Sequence, residues 1–326
     1  MLISDLTGKG DKKMIINRED RISIIDLLDL NEHFRTGAYV IKEDDITIVE
    51  TSASPSIPHL IRGLQQLNIS LEQVKNIIVT HIHLDHSGGV GLFLEKCPNA
   101  SVIVHEKGAR HLINPERLEA GARQVYGEDF DRLFHPIVPV PAERVFIKRH
   151  NDELQISSDC TLTFYDTPGH SRHHFSIYDN KSRGIFSGDT AGINYKYLLK
   201  DESLYLPSTS PNQFNPDEMK QSLELYEKLS LEKIYFGHFG ISEEPEKALT
   251  EVMNWLKIFV ETAVEICSAN SENPLTALTD ALKKEVLGSN EKLQHNKDFL
   301  RLLDLDMKVS AMGLIDYLKK SVKKGV

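Results

Sequence analysis

Cysteine is scarce in this 326-residue chain. Cys97, Cys160 and Cys267 are the only three, an odd number and far apart. No CxxC pair occurs, which argues against a disulfide framework and against a thiolate zinc site, and fits a reducing compartment. No apolar run is long enough to span a bilayer. The N-terminal stretch MLISDLTGKGDKKM has neither an apolar core nor a cleavage site, so a cytoplasmic protein with no membrane partner is expected. Excess positive charge is also missing. Lys and Arg number 38 against 48 Asp and Glu, and the net charge of −10 excludes a nonspecific nucleic-acid binder. The locally basic end, KKSVKKGV, is what a solvated helix C-terminus favours. Low-complexity tracts and internal repeats are absent as well.

Alternating strand and helix signals fill the chain. ISIIDLL is a short apolar strand, and GAYVIKEDDITIVETS reads as two strands joined at the polar KEDD. Pro58 opens a helix whose one face carries Leu60, Ile61, Leu64 and Leu67. VKNIIVT and SVIVHE are buried-strand patterns. Residues 107–134 look helical and rather polar, with Pro115 opening a helix. RVFIK, CTLTFYDT, HFSIYD and RGIFSGD are further strands, and 191–215 reads as a long irregular stretch. PDEMKQSLELYEKLS is a helix, KIYFGHFG a strand, and from Ser242 the pattern is helical to the end. Leu249, Val252, Met253, Leu256, Val260 and Ala263 form one apolar stripe. Asn273 caps a helix that stops at Gly288. This order predicts two β-sheets faced by helices plus a helical extension, although periodicity also allows a doubly wound parallel sheet. The expected division is 1–241 for the sheet-bearing domain and 242–326 for the extension.

What the chain does have is a concentration of metal-binding side chains. In IIVTHIHLDHSGG, His81, His83, Asp85 and His86 fall within six positions. In an extended segment, alternation puts His81 and His83 on one side, where two imidazoles can grip one ion. Asp85 and His86 can reach a second ion, and Ser87-Gly88-Gly89 lets the backbone turn tightly into the next helix. By chance the pattern arises on the order of once in several hundred chains of this composition. Imidazole and carboxylate donors suit zinc, iron or manganese. Three other strands end similarly beside glycine: TFYDTPGHS at His170, RGIFSGDT at Asp189 and KIYFGHFG at His238.

HIHLDH, PGH, SGDT and the late GH, in that order over roughly residues 35–240, resemble the metallo-β-lactamase superfamily in its glyoxalase II-like branch. The resemblance implies an α+β fold, an αββα sandwich of two mixed sheets with the site at their edge. It implies two divalent metal ions, zinc in the first place with iron or manganese as alternatives. His81, His83 and His170 would hold one, Asp85, His86 and His238 the other, and Asp189 would bridge them. A hydroxide shared by the ions would attack an ester, thioester or lactone of a small-molecule substrate, with Asp85 also accepting or passing a proton. Where the family usually has Asp-Thr-Gly at a strand end, this chain has Glu50-Thr51-Ser52.

The alternative activity is a mononuclear iron oxygenase of the persulfide-dioxygenase kind; a third reading is a non-catalytic domain that kept its metals. His173 and His174 are expected either in the pocket or in structural roles, and His105 as a structural histidine. Tyr195 and Tyr197 are expected to pack rather than donate to an oxyanion. His33, His59, His111, His135, His150 and His295 read as surface or packing residues. GARQVYGEDFDRLFHP is either a lid or an ordinary connection. The C-terminal helices either cap the pocket or form a homodimer face.

Overall fold

The computed structural model describes residues 14–18, 20–200, 202–269, 272–288 and 290–324, with side chains to Ser321. Most of the N-terminal stretch and the last two residues discussed above lie outside these.

The first sheet joins β1 (Ile15–Ile16), β2 (Ile22–Asp26), β3 (Gly37–Ile41), β4 (Ile46–Val49), β5 (Val74–Ile78), β6 (Ser101–His105) and β7 (Val145–Lys148), side by side in chain order. The first four strands are antiparallel, and β4 to β7 run parallel. The second sheet contains β8 (Glu153–Ser157), β9 (Cys160–Asp166), β10 (Phe175–Asp179), β11 (Gly184–Asn194), β12 (Tyr205–Leu206), β13 (Lys233–His238) and β14 (Ile241–Ser242). Its order is β14-β13-β11-β10-β9-β8, with β12 beside β11, and β11 and β13 are its parallel pair. Two mixed sheets flanked by helices form the αββα sandwich, which excludes the doubly wound alternative.

Strand periodicity explains the layers. In β2 and β3, Ile22, Ile24, Tyr39 and Ile41 face the second sheet, where they meet Leu162, Phe164, Phe175, Ile177 and Phe186. The alternate residues Ile25, Ala38 and Val40 face the outer layer of α1 (Ile57–Gln66), α3 (Val90–Leu94) and α4 (Glu106–Ile113), while Leu84 of α2 (Leu84–Ser87) packs with Ala53, Phe130 and Phe134. Both faces are covered, so these strands read as near-continuous apolar runs.

The remaining helices are α5 (Glu116–Tyr126), α6 (Phe130–Phe134), α7 (Lys196–Leu199), α8 (Pro216–Lys228), α9 (Pro245–Ser268), α10 (Pro274–Leu287), α11 (Glu291–His295) and α12 (Lys297–Lys324). The apolar stripe of α9 packs with α8, α10 and α12 on the outer face of the second sheet. Asn273 caps α10 by accepting from the Thr276 amide.

Two expectations need correction. Residues 191–215 are not one irregular stretch: β11 runs on to Asn194, and α7 and β12 follow. The bulge around Asp189 interrupts the alternation that would signal a continuing strand. Gly88 and Gly89 do form the turn from α2 into α3, but both have ordinary negative φ, so the turn does not draw on glycine's backbone freedom. A Cβ on Gly89 would lie 2.6 Å from Ile57 Cδ1, so that glycine permits close packing against α1.

Candidate metal centre

All the motif residues lie on one rim of the sandwich, where β4, β5, β9 and β13 end. β5 stops at Ile78, so His81 and His83 sit on the loop beyond it, and His83 is the N-cap of the one-turn α2 that carries Asp85 and His86. This loop is laced to Glu50-Thr51-Ser52. The Thr80 amide donates to Glu50 Oε1 (3.1 Å), Thr51 N–H to the His86 carbonyl (3.1 Å) and Gly89 N–H to the Ser52 carbonyl (2.7 Å). Glu50 and Ser52 hold left-handed φ values of 71° and 57°, a strained backbone that the surrounding bonds impose. β11 slips register against β13 between Gly188 and Ile193, and this bulge carries Asp189. Gly237 lets β13 approach: a Cβ there would stand 2.8 Å from His86 Cε1 and 3.1 Å from Asp189 Oδ1.

The donor atoms converge in two groups that share a carboxylate. His83 Nδ1 lies 3.0 Å from His81 Nε2 and 2.9 Å from His170 Nε2. Tetrahedral zinc with bonds of about 2.1 Å would space its donors about 3.4 Å apart. On the other side, Asp85 Oδ2 lies 3.7 Å from His238 Nε2 and 3.9 Å from His86 Nε2. Asp189 stands between them. Its Oδ1 is 3.1 Å from His86 Nε2, and its Oδ2 is 3.4 Å from His170 Nε2 and 3.3 Å from His238 Nε2. The rim thus brings together all seven residues singled out in the sequence, and the triads His81/His83/His170, His81/His86/Asp189 and Asp85/His86/His238 each have the spacing to hold an ion.

Electrostatics divide the donors into two sets. Burial pushes His81 far below the usual imidazole range, His83 to about 3 and His170 downward, so these rings are neutral and keep a lone pair for a cation. Burial also opposes charge on His86 and His238, but Asp189 beside both outweighs it and raises them. Asp189 is held well below its usual value although burial works against that, because His86, His238 and His170 surround it.

A test of fit is the state of the buried polar atoms. His86 Nε2 and Asp189 Oδ1 are fully enclosed and stand 3.1 Å apart as an ion pair, yet neither makes an aligned hydrogen bond to the other or to any other group, a gap that a bound cation would fill. The donor set and this pair fit divalent metal ions.

Outer partners aim several of these groups. His170 Nδ1–H donates to the Ser208 carbonyl (2.9 Å), which turns Nε2 inward, and Ser208 Oγ donates to Asp189 Oδ2 (3.0 Å). Glu50 Oε2 lies 3.5 Å from His86 Nδ1, so the glutamate in the departing Glu-Thr-Ser segment still backs the cluster. His174 Nε2 accepts the Asp189 amide (3.2 Å), a supporting role, while His173 lines the pocket. His105 is structural: its Nδ1 caps α4 and its Nε2 pairs with Asp166. Tyr195 donates to Asp306 (2.6 Å), and Tyr197 packs against Phe239.

A cavity of about 270 Å³ opens over the cluster. Its walls are α5 (Gly121, Ala122, Val125), the segment at Ser208–Gln213, and α12 (Asp306, Val309). The GARQVYGEDFDRLFHP segment therefore borders the pocket, and of the C-terminal helices α12 forms part of its wall. His111, read as a surface or packing residue, also lines it, and so does Arg35. Neither carries a motif; each reaches the pocket only through the fold.

Sandwich and rim cluster together define a metallohydrolase-type scaffold. The chain belongs to the metallo-β-lactamase superfamily, whose sequence pattern matches residues 34–238, a superfamily of generally hydrolytic metalloenzymes. It is similar to the metallo-β-lactamase fold-containing protein ST1585 of Sulfurisphaera tokodaii, 25% identical over 177 residues, 52% of this chain and 62% of that protein. The solved structure of ST1585 superposes with a TM-score of 0.62 at 20% identity, covering 90% of this chain and 98% of that one. The acyl-coenzyme A thioesterase MBLAC2 of Gallus gallus is 29% identical over 170 residues, 50% of this chain and 56% of that protein. The N-acyl homoserine lactonase AttM of Azorhizobium caulinodans is 31% identical over 117 residues, 36% of this chain and 40% of that protein. The sequence matches thus span about three fifths or less of these relatives. No helix of the described residues is long and apolar enough to cross a membrane.

Proposed function

We propose that the chain is a hydrolase of esters, thioesters or lactones that works with two divalent cations, zinc being the ion best suited to the nitrogen-rich donor set. His81, His83 and His170 would hold one cation, Asp85, His86 and His238 the other, and Asp189 both. Bound there, the cations supply an acidified water as nucleophile at neutral pH and a Lewis acid for the substrate's carbonyl. The observation that carries the reading is the convergence of seven donors on one rim, with His86 Nε2 and Asp189 Oδ1 enclosed at its centre without an aligned hydrogen bond.

The protein's own groups do the rest. His170, fixed by the Ser208 carbonyl, keeps its Nε2 aimed at the centre. The aliphatic face of α5 in the pocket wall suits an acyl chain. Asp85, partly exposed to the pocket, is placed to take up and return a proton. A thioesterase and a lactonase among the similar proteins support acyl chemistry, since both cleave a bond to an acyl carbon.

The test is elemental analysis of protein purified without added metal, with a panel of esters, thioesters and lactones, on the parent and Asp189→Ala. Two ions per chain and hydrolysis in the parent, both lost in the variant, are expected. One iron per chain with oxygen uptake would instead establish the oxygenase alternative, and unchanged metal content and turnover in Asp189→Ala would refute the bridging role.

A further inference from the structure

Asp85 is secured differently from its neighbours. His86, His170 and Asp189 have outer partners in Glu50 and Ser208, whereas Asp85 makes no hydrogen bond among the described residues. The charge that meets it from outside the cluster is Arg35, whose Nη2 lies 3.8 Å from Asp85 Oδ2. Arg35 is only 8% exposed, and a buried guanidinium persists only when counter-charges compensate it. Its Nε donates to Asp29 Oδ2 (2.9 Å) and its Nη1 to Asp306 Oδ1 (3.0 Å). The guanidinium is a rigid plane, so holding two of its nitrogens fixes the third, Nη2, which is the one beside Asp85.

The two grips come from distant parts of the chain. Asp29 lies in a loop whose flanking Leu28 and Leu30 have left-handed φ of 51° and 54°, a conformation that bulky residues rarely adopt unless held. Asp306 comes from α12, 271 residues beyond Arg35, and its other oxygen accepts the Tyr195 hydroxyl at 2.6 Å. The loop and α12 are tied a second time by Arg301 and Glu32.

We propose that Arg35 is a positioning residue for the Asp85 carboxylate, and that α12 takes part in building the second cation site by supplying Asp306 to hold Arg35. The inference rests on the reading of Asp85 as a ligand. It makes the C-terminal helix a component of the metal centre as well as a wall of the pocket.

Chelator competition with Zn²⁺ on the full chain tests it, in the parent, Arg35→Met, Asp306→Asn and Arg301→Ala, each also made with Asp85→Asn. Arg35→Met and Asp306→Asn should keep one ion at parental affinity and bind the other about 10–100-fold more weakly, the scale of losing an outer partner. With Asp85→Asn already present, Arg35→Met should add nothing further, because the two act through one contact. Arg301→Ala, which cuts only the second tie, should leave both affinities unchanged. Thermal unfolding identifies any variant whose loss is simply one of folding, and the isosteric Asp306→Asn guards against that outcome for Arg35→Met. Equal weakening of both ions, additive loss on top of Asp85→Asn, or unchanged affinities would overturn the proposal while leaving a two-ion parent intact. A parent holding a single ion would overturn the underlying reading as well.

Discussion

The two ends of the sandwich both bury ions, and they treat them in opposite ways. At the end away from the cluster, Asp179 is fully buried and pairs with Arg21. It also accepts from the Ser182 amide (3.1 Å) and from Cys160 Sγ (3.3 Å), whose thiol burial and Asp179 push up to about 12. Arg21 reaches Glu43 at 3.1 Å as well. Every polar group there is answered by another part of the chain. At the rim, His86 Nε2 and Asp189 Oδ1 face each other at 3.1 Å, enclosed and without an aligned hydrogen bond to any group. Buried charge alone is therefore a poor guide to a site. An incomplete set of partners in a converging cluster is the better one, because native structures rarely tolerate the cost otherwise.

That contrast can be broken by substitutions at each end. The largest effect is expected for Asp189→Ala: kcat/KM on the best acyl substrate should fall about 10⁴-fold, the scale of losing one member of a catalytic unit, with metal content falling alongside. Next, Asp179→Ala should destabilise the fold by about 3–5 kcal/mol, because it leaves Arg21 without its main counter-charge. Denaturant unfolding measures this, and kcat should stay at the parental value; a large loss of kcat in folded Asp179→Ala would erase the distinction between the ends. Glu50→Gln should weaken metal binding by about 10–100-fold by removing charge behind His86, read by chelator competition.

For a single imidazole the effect per pH unit is smaller still, and it concerns the metal-free protein. His81, His83 and His170 are lowered in the fold by burial, so below pH 6.5 the unfolded chain binds protons that the native state refuses. Stability should then fall by about 1.4 kcal/mol per pH unit for each such ring, down to about pH 3 for His83. His86 and His238 are raised, so at about pH 7 to 6, where the unfolded imidazoles are still taking up protons, they work in the opposite direction. Well below their ordinary value both states are protonated and they add no slope. Denaturant melts between pH 7 and 4 check the sign. Bound metal should steepen the fall, since acid also protonates its ligands. A flat profile would show that the rim imidazoles are not the buried neutral groups described.

The motif residues were legible for a local reason. HIHLDH crowds its donors, and His170, Asp189 and His238 each close an apolar strand beside glycine, so neither needs tertiary information to stand out. β3, β4, β5 and β6 were equally plain, being apolar runs between polar turns. Arg35 and Asp306 were not legible, because each is an ordinary charged residue until a separation of 271 positions closes to 3.0 Å. The length of β11 was missed because the bulge at Asp189 interrupts its alternation, and Glu50 looked like a departure although it faces the same imidazole cluster.

By itself the sequence determined which atoms were available for coordination and which segments would become the strands that end beside them, since donor chemistry and hydrophobic periodicity are local properties. Only the tertiary structure decided that seven such groups share one rim, that two of their atoms are enclosed without an aligned hydrogen bond, and that α12 reaches back to grip Arg35. Burial and convergence depend on how the two sheets pack and where distant helices close over their edge, and no short stretch of residues encodes that.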